Sequence, residues 1–94
     1  MDSFGDENLS ITTKNSTVIL SNNSDEVVYF MLLESETAAL VDLAPDAEWP
    51  SIEAGTKKSI PYNEITGYTE SSDEAFIMWG IGKQSSGNSQ TFKL

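Results

Sequence analysis

The side chains able to do chemistry in this chain are almost all oxygen acids and hydroxyls. Fifteen aspartates and glutamates stand against five lysines, with no histidine, cysteine or arginine among 94 residues. A pair of carboxylates facing each other across a bond is the apparatus of glycoside hydrolysis. With fifteen acids, chance pairs are certain, and nothing singles one out. Calcium asks for about six to eight oxygens in a tight loop. Glu70-Ser71-Ser72-Asp73-Glu74 and Asp42, Asp46 and Glu48 supply oxygens, but neither has the glycine and terminal glutamate of an EF-hand. A Ser–Lys nucleophile needs a buried lysine beside a serine. Lys57, Lys58 and Ser59 are neighbours, yet two adjacent lysines on an edge strand also discourage edge-to-edge pairing. No catalytic, metal-binding or cofactor-binding residue is therefore assigned, and no cofactor is expected.

The missing residue types narrow the field further. Without histidine there is no common general base, no common zinc ligand and no ordinary hydrolase triad. Without cysteine there are no disulfides and no thiol chemistry. Without arginine there is no bidentate fork for phosphate or carboxylate. A formal charge of −10 makes nucleic acid and anionic lipid poor partners, because both are bound through cationic stripes. The same charge suits a self-repelling, soluble surface or a cationic partner.

Aromatic residues outside the apolar runs are the better candidates for recognition. Trp49 lies between Glu48 and Pro50, and Tyr62 and Tyr68 flank a turn. Such side chains either form a partner-binding surface or plug the open ends of a small sandwich.

The elements that must position them read as strands. The longest apolar run, 27–33, follows the polar stretch Ser21-Asn22-Asn23-Ser24-Asp25-Glu26 and is apolar on both parities. That pattern predicts a central strand covered on both faces. Residues 75–81 form the second such strand. Residues 1–8 are expected to be a flexible acidic lead-in, with 9–94 as a single β-sandwich domain. Residues 9–13 alternate as a short edge strand, followed by a turn at Lys14-Asn15-Ser16. Residues 17–21 are a strand expected to hairpin into 27–33 through the asparagines. Ser35-Glu36-Thr37 offers capping hydroxyls, and 38–43 is read as a strand after a turn. Residues 44–50 are a loop held by two prolines, with Gly55 in a turn before the strand 56–62. Pro61 marks that strand as an edge or its end. Residues 63–68 read as one turn closed by Gly67. A serine-rich loop then leads to a last strand over 90–94. About six or seven short strands without a long helix predict an all-β, Ig-like antiparallel β-sandwich.

The segments Asn22-Asn23-Ser24-Asp25-Glu26-Val27-Val28-Tyr29-Phe30, Thr37 to Pro45, Ile60-Pro61-Tyr62-Asn63-Glu64-Ile65-Thr66-Gly67-Tyr68 and Glu74-Ala75-Phe76-Ile77-Met78-Trp79 resemble a family of small bacterial proteins to which no function is attached. The Ile-Pro-Tyr…Thr-Gly-Tyr block is its most specific part. The resemblance implies an envelope or secreted location. Members have cysteines flanking the proline loop; here Pro45-Asp46-Ala47-Glu48-Trp49-Pro50 has none, so no disulfide staple is carried over.

Met1-Asp2-Ser3-Phe4-Gly5-Asp6-Glu7-Asn8 is acidic rather than a basic signal-peptide start. The expected location is periplasmic or secreted if a leader precedes Met1, and cytoplasmic otherwise. The leading functional expectation is a non-enzymatic module that binds protein or glycan, or has a structural role at the cell envelope. The alternatives are a small carboxylate- or Ca²⁺-dependent enzyme and an acidic cytosolic adaptor for a basic partner. No membrane insertion is expected, since no run reaches the roughly 18 apolar residues of a span.

Overall fold

Alternation of apolar and polar residues over 9–14 and 17–22 gives two strands that each bury one side. The structure, a computed structural model, describes residues 2–38, 49–83 and 87–94. In it β2 (Leu9–Lys14) and β3 (Thr17–Asn22) form an antiparallel hairpin. The turn uses positive φ at both Asn15 and Ser16, at 52° and 57°. That conformation matches the twist of paired strands. Leu9, Ile11, Val18 and Leu20 are the buried face of the hairpin. β1 (Asp2–Gly5) pairs with β2, and β6 (Lys57–Pro61) pairs with β3.

The second sheet is built on β4 (Val28–Glu34) and β7 (Glu74–Ile81), which pair from Val28↔Ile81 to Glu34↔Ala75. β5 (Ser51–Ile52) adds to one side of β4, and β8 (Asn88–Lys93) to the free side of β7. Among the described residues the protein is thus all-β. It has two four-stranded antiparallel sheets, ordered β1-β2-β3-β6 and β5-β4-β7-β8. Their inner faces share one core of Leu9, Ile11, Val18 and Leu20 against Val28, Phe30, Ile77, Trp79 and Phe92. The indole N–H of Trp79 is buried without a hydrogen-bond partner among the described residues. Leaving it so costs about 1–3 kcal/mol. Burying roughly 200 Å² of ring contributes about 5 kcal/mol, so packing wins.

The two margins of the sandwich differ. At one, β1 and β8 are tied by the Phe4 and Phe92 rings, 5.6 Å apart, and by the Gly5 N–H donating to Gln90 Oε1 at 2.9 Å. At the other, β6 faces the short β5 and the part of β4 that β5 does not reach.

Several expectations are met. The runs 27–33 and 75–81 are the two central strands of one sheet, and the inner side of each is buried apart from the half-buried Ile81. On the outer side of β4, Leu33 is buried while Tyr29 and Met31 are half-buried. β6 is an edge and ends at Pro61, and Gly55 and Gly67 take positive φ.

Others are corrected. The supposed flexible lead-in contains β1, because Phe4 packs on the core and the backbone of 2–5 pairs with β2. That pairing also makes 9–13 an interior strand rather than an edge. Residues 17–21 do not hairpin into 27–33; the stretch between them carries the chain from one sheet to the other. The Asn22 side chain holds this corner. It is 1% exposed, its Nδ2 donates to the carbonyls of Glu26 and Ile52, and its Oδ1 accepts from Ser24 N–H and Oγ. A hairpin turn has no use for a bond to residue 52. Ser35–Ala38 is a single helical turn, and the rest of the expected strand 38–43 lies outside the described residues. The described strands number eight, two of which, β1 and β5, were not expected.

Candidate functional site

β5 is two residues long because Pro50 ends it. The ladder on that side of β4 runs through Val28↔Ile52 and Tyr29↔Ser51, and then Phe30 N–H donates to the Pro50 carbonyl at 3.0 Å. Proline has no N–H to return to the Phe30 carbonyl. Further along, Glu34 N–H donates to the Thr66 carbonyl at 2.8 Å, and Leu33 and Thr66 form an isolated parallel bridge. Alternate residues of a strand point their backbone groups to opposite neighbours. Phe30, Leu32 and Glu34 therefore face this margin, whereas Met31 and Leu33 bond to β7. Between Pro50 and Thr66, the Phe30 carbonyl and the Leu32 N–H have no backbone partner among the described residues.

A notch opens at this gap. Its cavity measures about 330 Å³ and is lined by Phe30, Leu32, Pro50, Lys58, Ile60 and Ile65, together with Met31, Glu64 and Thr66. The floor is apolar. Lys58 pairs with the inward Leu20, so it is directed to the sandwich margin, and its Nζ lies 5.6 Å from the Phe30 ring centroid. A cation over a ring face is attracted by the ring quadrupole. A lysine directed inward on an edge strand also discourages pairing along β6.

Two of the three aromatic candidates are brought together. The Tyr62 and Tyr68 rings lie 5.8 Å apart at 52°, both half-buried and packed on the core. Tyr62 begins the short 3-10 turn Tyr62–Glu64, and its N–H donates to the Ser16 carbonyl at 2.9 Å. Ile65 N–H donates to the Tyr62 carbonyl and Tyr68 N–H to the Ile65 carbonyl, both at 3.0 Å. The tyrosines thus cover the end of the sandwich and hold Glu64, Ile65 and Thr66 between them as one wall of the notch. Trp49 lies apart from the tyrosines; it is half-buried and precedes in sequence Pro50, which lines the opposite wall.

The acidic candidates separate. Glu34 points inward at the end of β4 and is 6% exposed; its Oε1 accepts the Glu36 N–H at 2.9 Å. It lines a polar cavity of about 260 Å³ with Glu36, Thr69, Ser71, Ser72 and Asp73. Part of the hydroxyl set is engaged within its own loop, since Thr69 N–H donates to Ser72 Oγ and Ser71 N–H to Thr69 Oγ1. Among the described residues no three acids are grouped to hold a metal ion. Asp42, Asp46 and Glu48 lie outside the described residues. Lys57, Lys58 and Ser59 are all exposed, which removes the buried lysine that a Ser–Lys nucleophile needs.

Sequence reasoning did not single out Phe30 and Leu32 as binding groups. The one usable signal in the sequence was Pro50, which cannot donate to a ladder. No helix among the described residues is long and apolar enough to cross a membrane. Comparison of the chain with protein-family models, curated proteins and solved structures finds no match.

Proposed function

We propose that this chain is a non-enzymatic binding module: an Ig-like sandwich, acting at the bacterial cell envelope, that takes a segment of a partner protein into the notch beside β4. The observation that carries this reading is the apolar cavity opening between Pro50 and Thr66, walled by the neighbours of Trp49, Tyr62 and Tyr68. The Ig-like assignment is supported by strand order. β2-β3-β6 over β5-β4-β7-β8 follows the order A-B-E over C′-C-F-G, with β1 added outside. The envelope location rests on the sequence resemblance. Protein is preferred to glycan because the two tyrosine rings tilt against each other and offer no flat platform for a sugar.

The test uses the two tryptophans. Trp79 is buried at 3% exposure and Trp49 is half-buried, so a ligand in the notch should change Trp49 emission alone. Titration with a capped peptide, Lys-Thr-Leu-Thr-Lys, is expected to shift the fluorescence of the protein and leave the Trp49→Phe variant silent. A silent titration of the unaltered protein at millimolar peptide contradicts the reading.

A second reading, a carboxylate- or Ca²⁺-dependent activity, would use the cavity lined by Glu34, Glu36 and Asp73, against which stands the absence of any three acids grouped for a metal ion among the described residues. A cation bound only by the folded state at about 100 times its Kd adds about 2.7 kcal/mol of stability. The binding-module reading predicts the same melting temperature with and without millimolar Ca²⁺. A rise of several degrees moves the functional site to that cavity.

A further inference from the structure

The two four-stranded sheets end in the edge strands β1, β6, β5 and β8, and all but β8 are blunted. β5 is two residues long and follows Pro50. β6 carries Lys57 and Lys58 and ends on Pro61, which has no N–H to offer. Asp6 N–H donates to the Leu9 carbonyl, so Asp2 and Phe4 bond to β2 and β1 turns only Ser3 and Gly5 outward. The Gly5 N–H is already given to Gln90. Short strands, lysines and prolines are the usual devices that stop one sheet edge from pairing with another. β8 is six residues long, has no proline and no acid, and its one lysine stands at its end.

The backbone phase of β8 follows from two bonds. Gly82 N–H donates to the Val27 carbonyl, and Leu94 N–H to the Asp73 carbonyl. Alternation from either bond gives the same result: Ala75, Ile77 and Trp79 bond to Phe92, Gln90 and Asn88. Ser89, Thr91 and Lys93 therefore turn their N–H and C=O groups to the open edge, with exposed side chains and no backbone partner among the described residues. From this we infer that β8 docks on β8 of a second copy, antiparallel, with the two-fold axis at Thr91. The open residues are symmetric about Thr91, so the edge is complementary to itself. Thr91 exchanges both bonds with the partner's Thr91, and Ser89 with the partner's Lys93. The two lysines then stand roughly 14 Å apart along the strands, and no like charges lie directly opposite. Charge selects this edge as well. The chain holds fifteen acids against five lysines, and none of the acids is on β8. Pairing here uses up the one unblunted edge, so assembly stops at two copies. The edge lies across the sheet from the notch and is independent of the binding reading.

The experiment is sedimentation equilibrium of the full chain up to millimolar concentration. The mass is expected to rise from one chain to two and no further. Each copy carries −10, so salt is expected to strengthen the dimer, as the screening length falls from about 30 Å at 0.01 M to about 8 Å at 0.15 M. Where about nine-tenths of the chains are paired, amide exchange at Thr91 is expected to slow about tenfold, with Gln90 unchanged. Thr91→Lys sets two lysines opposite each other at the axis and is expected to abolish the dimer, although it brings the net charge closer to zero. Thr91→Glu is expected to do the same. An equimolar mixture of the two variants is expected to regain the mass of two chains. Thr91 is exposed, so each variant alone is expected to keep the melting temperature of the original protein. The mass of one chain at millimolar concentration in about 0.15 M salt overturns the inference, as does growth beyond two chains. A dimer that leaves Thr91 unprotected or survives Thr91→Lys overturns it too, as do variants that fail to pair when mixed. None of these failures touches the notch, which is read by Trp49 emission.

Discussion

Phe30→Ala is expected to destabilise the protein by about 3–5 kcal/mol, read as a fall in the urea midpoint with little change in slope. The magnitude follows from position. Phe30 is 2% exposed, lies across the central pair from Trp79, and carries Lys58 Nζ over its ring. Truncation removes the transfer free energy of the ring and leaves a hole where inner faces of both sheets meet. It also removes the cation–π contact, worth about 0.5–1 kcal/mol at an exposed lysine. Small domains have only about 5–15 kcal/mol in total, so this single change takes much of it. Phe30→Leu keeps most of the volume and should cost clearly less. A loss below about 1 kcal/mol for the alanine variant would remove β4 from the centre of the fold.

Asn22→Ala is the second large effect, expected at about 2–4 kcal/mol. The carboxamide is the common partner of two backbone carbonyls, one amide and one hydroxyl. Deleting it removes four hydrogen bonds at a buried position, at about 0.5–1.5 kcal/mol each; the Ile52 carbonyl keeps its ladder partner Val28 but loses its second donor. The Glu26 and Ser24 groups lose their bonds where water has partial access. Asn22→Asp is the sharper variant. It keeps the acceptor for Ser24 but sets a carboxylate oxygen against the carbonyls of Glu26 and Ile52. It should therefore be less stable than Asn22→Ala at neutral pH. An aspartate variant as stable as the original protein would show that the two donated bonds contribute nothing.

The pair of central strands was legible because apolarity on both parities is uncommon outside a strand covered on two sides. The end of β6 was legible because Pro61 lacks a donor. The crossing from β3 to β4 was not. Asn-Asn-Ser-Asp suits a hairpin and an inter-sheet corner equally, and the bond that decides, Asn22 to Ile52, is remote in sequence. β1 was missed for a similar reason: one apolar residue in a polar stretch is a weak signal, and its partner, Phe92, lies at the far end of the chain. Of the candidate site, the aromatic residues were visible as types. The notch beside their elements was not, because it depends on a hydrogen bond that Pro50 cannot make.

The open edge of β4 is the central claim, and amide exchange in the free protein tests it most directly. Met31 and Leu33 bond to β7, while the Leu32 N–H faces the gap between Pro50 and Thr66. Exchange at Leu32 is predicted to be faster than at both neighbours, although its side chain is only 7% exposed. Exchange at Leu32 as slow as at Met31 and Leu33 would mean that the edge is already closed and the notch is not a binding site.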